Sequence, residues 1–242
     1  MSDAHERYSP TPTECLCDTI ARGGVGASAR DVDRGQNQGC TVDRDTFLVA
    51  EAGGGGQGQV FDPEVMLRAA ESVVGVLKRH RVDAVVIGAT ALAAYRYVRQ
   101  TEDIDLGVNA DLATLRAITE SLRGGGFSAE LREPDGDDPL GGVIDVTGGG
   151  GLLQIISYAN RFPAVIDDAV RGANLTVRAG SPLRLVPIAQ LIALKLYAGG
   201  YKSKADIVEL LTRNPELDLN EVRAVCNRYR LSGLEELIAD AR

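Results

Sequence analysis

Asp103 and Asp105 are the residues in this 242-residue chain whose types and spacing most directly invite chemistry. They stand in Asp103-Ile104-Asp105-Leu106, an alternation of acid and apolar side chains. Alternate residues of a β-strand share a face, so the two carboxylates project together while Ile104 and Leu106 turn toward the core. With Cα atoms roughly 6.6 to 6.8 Å apart, the pair can converge on one Mg2+ or on a metal pair about 3.5–4 Å apart. Such a site serves metal-assisted phosphoryl or nucleotidyl transfer. Two acids on a solvated edge strand would give the same pattern, because charged residues mostly sit in water.

The preceding stretch weighs against that plainer reading. Val85, Val86 and Ile87 make a short β-branched run suited to a buried strand, and Gly88 follows where the backbone must turn or approach a ligand closely. Residues 89–97 suit a helix. A helix that starts just after a strand leaves free N–H groups at its first turn, which favour an anion such as a phosphate. Gly88, Ala89 and Thr90 would thus put a phosphate site about fifteen residues before a cation site.

Two further residues stand out. Asp145 is an acid in the otherwise apolar run Val143-Ile144-Asp145-Val146, where a buried carboxylate needs a partner, a cation or solvent. Lys195 falls with Ile188, Leu191 and Ile192 at helical spacing, on the stripe that should face the core. Either its stem snorkels past apolar neighbours or its ammonium reaches a phosphate or a carboxylate.

Residues 85–108 resemble the core of the minimal nucleotidyltransferase superfamily, the polymerase-β-like fold. Its pattern is an apolar strand, Gly followed by Gly or Ser, a short helix and Arg-x-Thr-x-Asp-x-Asp. This chain has Gly88-Ala89-Thr90 and then Arg99-Gln100-Thr101-Glu102-Asp103-Ile104-Asp105. Ala89 departs from the pattern: a Ser hydroxyl contact to phosphate is lost, and a positive φ there would be strained. The chain also resembles the AbiEii group of toxin-type nucleotidyltransferases, whose Lys-x-x-Ala-x-Arg-x-Lys-Asp-x-x-Asp is met by Lys195, Ala198, Lys202 and Asp206, with Gly200 in place of the Arg and Ser203 in place of the first Asp.

The resemblance covers roughly residues 62–215. It implies an α/β, mixed-sheet nucleotidyltransferase fold with a C-terminal helical extension, and transfer of a nucleoside monophosphate from an NTP to a hydroxyl acceptor such as RNA or a protein. It further implies that Asp103, Asp105 and Asp145 hold two Mg2+ ions and that Asp145 helps deprotonate the acceptor. Gly88, Ala89 and Thr90 would cradle the phosphates, Lys195 and Lys202 would offset their charge, and Asp206 would orient a lysine or the acceptor. An antitoxin protein is the partner that the toxin-type resemblance implies. The alternative is a degenerate, non-catalytic nucleotide- or partner-binding module of a toxin–antitoxin pair, with Ala89, Gly200 and Ser203 as its motive. Glycosyltransferases and haloacid-dehalogenase-like phosphatases also use Asp-x-Asp, but the residues around Asp103 do not follow the dehalogenase pattern.

The supporting elements follow in order. Asp62-Pro63 reads as an N-cap and first helical residue for an amphipathic helix to about residue 80, with His80 a solvated terminal histidine. Asn109 or Asp111 caps a helix through Leu122, which Gly124-Gly125-Gly126 ends. Strands are expected at 127–131 and 142–146. Residues 148–151 are a glycine-rich hairpin loop leading into 152–158; no Gly-Lys-Ser/Thr follows, which excludes a P-loop. A helix over 162–170, a last strand at 175–177 and an apolar helix from Pro187 come next. Three more helices are read at 205–213, 221–230 and 234–241, where Cys226 packs as a small hydrophobe.

At 44% hydrophobic the chain can bury a real core. Its net charge of −8 argues against a broad nucleic-acid surface, which needs Lys and Arg to neutralise phosphates. No apolar run can span a bilayer and the N-terminus has no signal-peptide core, so no membrane association and a cytoplasmic location are expected. Residues 1–60 lack periodicity and are expected to form a disordered leader separate from the folded unit. Cys15, Cys17 and Cys40 lie there at C-x-C rather than C-x2–4-C spacing and read as free thiols. Residues 61–180 are then the nucleotidyltransferase domain and 181–242 the helical extension.

Overall fold

The Asp62 side chain accepts hydrogen bonds from the backbone N–H groups of Glu64 and Val65, and Pro63 opens the first helix, α1 (Pro63–Arg79). The computed structural model describes residues 62–242 apart from Glu102, Asp137 and Gly149, so the expectations for residues 1–60 lie outside the described residues. After α1 come β1 (Ala84–Ile87), α2 (Gly88–Ala94), β2 (Asp103–Val108), α3 (Leu112–Gly124), β3 (Ser128–Arg132), β4 (Gly142–Thr147) and β5 (Leu152–Ser157). The helices α4 (Pro163–Gly172), α5 (Ile188–Ala198), α6 (Tyr201–Arg213), α7 (Leu219–Arg228) and α8 (Leu234–Asp240) complete the chain. This is an α/β fold built on one mixed sheet.

The five strands lie in the order β1-β2-β5-β4-β3. Only the β2–β5 pair is parallel, and the crossover that parallel strands require is supplied here by α3 and the β3–β4 hairpin. The pairing of β4 with β5 is antiparallel and opposes Asp145 to Gln154, while β2 with β5 opposes Asp105 to the same Gln154. Directly paired residues share a face, so Asp105, Gln154 and Asp145 form one row across the sheet.

The opposite face carries Ile104, Leu106, Ile144, Val146, Leu153 and Ile155, all buried. Met66, Ala69 and Val73 of α1 meet Val146 and Leu153 there. On the acidic face, Gly107 leaves room for a helix, since a Cβ in its place would lie 2.8 Å from Ile166 Cδ1 of α4. Packing thus covers the Gly107 end of this face and leaves the Asp103 end open.

Several boundaries differ from the sequence expectations. The segment 175–177 is not a strand of the sheet; it makes a single bridge, Thr176 to Arg184, and Val177 N–H bonds to Leu183 O. The returning arm lies along the free edge of β1: Val86 N–H donates to Arg184 O at 2.7 Å and Val186 N–H to Val86 O at 3.0 Å. Residue 180 therefore falls inside a hairpin, and one continuous apolar cluster joins β1 and β2 to α5, α6, α7 and α8. Helix α6 begins at Tyr201, four residues before the expected start, because Gly199 (φ +70°) caps α5 in the left-handed region and Gly200 restarts the chain in an extended conformation. His80 is not simply solvated: its Nε2 exchanges a hydrogen bond with Ser121 Oγ at 2.8 Å. Asp111, not Asn109, caps α3 by accepting from Thr114 N–H.

Candidate functional site

Asp103 and Asp105 open from β2 into a cleft of about 960 Å3. Arg99, Gln100 and Thr101 line it on the approach to β2, Thr147, Gly148, Gly150 and Gly151 from the β4–β5 loop, Leu152, Gln154 and Ile156 from β5, and Lys202 from α6. The charged side chains of this lining are two acids and two bases. Thr101 Oγ1 donates to Asp103 Oδ1, which ties the segment before β2 to the first carboxylate.

Both acids are half-buried. Burial, and then the charge of Asp103 beside it, push the Asp105 carboxyl up to about 6, against the opposing pull of Lys195, Arg99 and Lys202. Two neighbouring carboxylates of which one resists ionisation form a place where a cation is favourable. Hard oxygen donors suit Mg2+ or Mn2+ rather than a soft metal. Asp103 and Asp105 fit a divalent cation on that ground.

Gly88 is placed by the same carboxylate. Its φ is +67°, and a Cβ built on it would stand 1.9 Å from Asp105 Oδ2. Glycine is required twice here, for the left-handed turn that joins β1 to α2 and for the close approach. Ala89 is buried and is not among the residues with positive φ, so the strain expected at a non-glycine does not arise. Gly88, Ala89 and Thr90 stand behind Asp105 rather than in the lining of the cleft. The turn shapes the acid pair from behind; the seven-residue α2 is too short to make much of its first turn.

The structure separates Asp145 from the other two acids. By register it lies two strands from Asp105, roughly 9.5 Å away at the usual strand spacing, with Gln154 between them. Its Oδ2 accepts from Arg132 Nε at 2.7 Å, and its Oδ1 from Arg132 Nη2 at 3.1 Å and from Gln154 Nε2 at 2.6 Å. Burial opposes its ionisation, but these hydrogen bonds outweigh burial and hold the carboxyl below its usual range. Asp145 thus finds the partner that a half-buried acid needs, and Gln154 takes the place next to Asp105 that the sequence resemblance gave to a third acid. Among the described residues no group of three or more His, Cys, Asp or Glu side chains is arranged to hold a metal ion.

Lys195 and Asp206 form a buried pair. Lys195 Nζ donates to Asp206 Oδ2 at 2.6 Å, and Arg99 Nε lies 3.7 Å from Asp206 Oδ1, close enough for an ion pair though not for a hydrogen bond. Asp206 is 2% exposed and does not line the cleft. It draws Lys195 of α5 and Arg99 of the β2 approach together, so of its two expected roles the geometry fits the orienting of a lysine. Lys202, one turn from Asp206 on α6, reaches the cleft directly.

Sequence reasoning missed Gln154 and the glycine loop as parts of this cleft. Gln154 is the polar residue between Leu152 and Ile156 on the cleft face of β5, a period-2 break visible in the sequence. What the sequence does not contain is the register that sets it opposite Asp105. The loop lacks the Gly-Lys-Ser/Thr of a P-loop, and its glycines serve instead as a wall of the cleft.

No family model matches the chain, and no curated protein matches it. Among solved structures the chain is similar to the antibiotic-resistance factor ANT(2'')-Ia in solution, with 20% identity over 69% of this chain and 91% of that one and a TM-score of 0.43. It is similar to the crystal structure of ANT(2'')-Ia in complex with adenylyl-2''-tobramycin, with 18% identity, 68% and 96% coverage and a TM-score of 0.46. A third such structure is an antigenic nucleotidyltransferase-like protein from Paracoccidioides brasiliensis, with 16% identity, 69% and 87% coverage and a TM-score of 0.42.

Proposed function

We propose that this chain is a divalent-cation-dependent nucleotidyltransferase that moves a nucleoside monophosphate from an NTP to a hydroxyl acceptor. The observation that carries the reading is that Asp103 and Asp105 open side by side into a cleft of about 960 Å3 whose other charged lining residues are Arg99 and Lys202. A volume near 1,000 Å3 is at the upper end of ligand pockets and leaves room for a nucleotide and part of an acceptor. Asp103 and Asp105 would hold Mg2+, which would supply positive charge against the charge that develops on the transferred phosphoryl group.

The protein's own part is positioning and charge. Asp103 and Asp105 hold the cation, with Gly88 closing the space behind Asp105. Lys202 and Arg99, which line the same cleft, meet the phosphates. Lys195, fixed by Asp206, adds positive potential near Asp105 from the core side. An RNA end, a protein side chain and a small hydroxyl compound are the acceptor classes to try, and an antitoxin is a partner to test for.

The row Asp105–Gln154–Asp145 favours a second reading, a nucleotide-binding module without transfer, because an amide stands where a third acid would be needed. One experiment separates the two. The protein is incubated with each α-labelled NTP, Mg2+ and a total cell extract. Label carried into RNA, protein or a small molecule by the wild type and not by Asp105→Ala supports transfer; Mg2+-dependent NTP binding without incorporation supports the module.

A further inference from the structure

Gln154 occupies the centre of a polar row that runs from Asp105 on β2 through β5 to Asp145 on β4 and Glu130 on β3. Its amide nitrogen donates to Asp145 Oδ1 at 2.6 Å, and Arg132 holds the same carboxylate with two bonds of 2.7 and 3.1 Å. A carboxylate paired with a guanidinium can only accept hydrogen bonds, so the end of the amide turned toward Asp145 must be Nε2. The other end, Oε1, is left for the cleft that Gln154 lines. Among the described residues the Gln154 side chain has no hydrogen bond besides the one to Asp145.

On the reading of the cleft as a metal–nucleotide site, we propose that Gln154 Oε1 is the third protein oxygen of a single divalent-cation site with Asp103 and Asp105, and that Asp145 and Arg132 hold the amide that way round. Amide oxygens are ordinary ligands of hard divalent cations. Two carboxylates and one neutral oxygen carry a charge that matches one such ion, and among the described residues lining the cleft no further carboxylate offers the charge for a second. Gln154 is the metal-contacting residue here and Asp145 a positioning residue that acts through it, in the way that outer-sphere hydrogen bonds fix the orientation of ligands elsewhere.

The test is Mn2+ binding to the full chain, followed by the EPR signal of the free ion, with circular dichroism as the check on folding. Wild type binds one Mn2+ per chain. Gln154→Leu weakens binding by about ten-fold or more, whereas Gln154→Glu, which supplies a charged oxygen, binds at least as tightly as wild type. Asp145→Ala weakens binding in the wild-type background, because the amide is then free to turn. It causes no further loss in the Gln154→Glu background, because both oxygens of a carboxylate can face the ion.

Unchanged Mn2+ affinity in Gln154→Leu, two ions per wild-type chain, or an equal loss from Asp145→Ala in both backgrounds would each overturn the proposal. Mn2+ binding that is indifferent to Asp105→Ala would overturn the reading of the cleft itself, and with it this inference. Binding lost in Asp105→Ala yet kept in Gln154→Leu would overturn the inference alone.

Discussion

Gly88 and Asp105 come from different elements yet occupy each other's space. Adding a single methyl group in Gly88→Ala places a carbon 1.9 Å from Asp105 Oδ2 at a φ of +67°. The left-handed backbone alone costs about 1–2 kcal/mol for a residue with a Cβ, and the carboxylate must also move. Urea denaturation should show at least that loss, and a Mn2+ titration should show weakened binding. Asp105→Asn should behave oppositely in the two readouts. It removes a carboxylate that burial and Asp103 disfavour, so the metal-free variant should melt higher than wild type at neutral pH. Mg2+, which raises the melting temperature of wild type by binding only the folded state, should no longer do so. The acid pair was legible in the sequence because strand alternation is a local rule. Asp145 was legible as an acid in need of a partner, but neither its separation from the pair nor the place of Gln154 was, because which residue stands beside Asp105 depends on β5 pairing between β2 and β4, and no local pattern states that register.

Two clamps between elements carry testable consequences. Asp206 on α6 pairs with Lys195 on α5 and faces Arg99 before β2, at 2% exposure. Removing one member of a buried ion pair leaves its partners uncompensated, a loss of about 3–5 kcal/mol. Asp206→Ala should therefore unfold at clearly lower denaturant than wild type. The second clamp joins α1 to the hairpin that follows α4: Arg178 bonds to both oxygens of Glu71 at 2.9 and 2.6 Å, and Ser181 Oγ donates to Glu71 at 2.7 Å. The Arg178 hydrogen bonds, ahead of opposing burial, hold the Glu71 carboxyl below its usual 4.5. A depressed carboxyl contributes stability that is present above the unfolded-state value and is lost as pH falls through the folded one. Glu71→Gln should thus be less stable at pH 7, by roughly 1.5 kcal/mol for hydrogen bonds to a charged group, and the gap should close as the pH falls below 4.5. Melting curves between pH 7 and pH 3 check this. Helices α1, α3 and α5 were readable from caps and periodicity. The start of α6 was not, since Gly199-Gly200 can end a helix and begin another within two residues.

At the scale of the molecule, the sheet and the C-terminal helices share one core, and residues 184–186 lie on the edge of β1. A fragment ending at residue 180 would strip residues 184–186 from the edge of β1 and remove the C-terminal helices from the shared core, so it should give the circular dichroism of an unfolded chain. The division expected at residue 180 follows from the family resemblance, which implies an α/β domain with a helical extension, and motifs alone do not state which surfaces pack together. Among the described residues no helix is long and apolar enough to cross a membrane. The acid pair and the basic residues near it are brought together by this shared core, because Lys202 and Lys195 come from helices that pack on the sheet through it. The most direct measurement of the central claim is equilibrium binding of labelled NTPs to wild type, Asp103→Asn and Asp105→Asn, with and without Mg2+. Binding by the wild type that requires Mg2+ and is lost in both folded variants is the expected result. Binding that persists without Mg2+, or in both variants, would contradict a metal–nucleotide site between Asp103, Asp105 and the Lys202 wall.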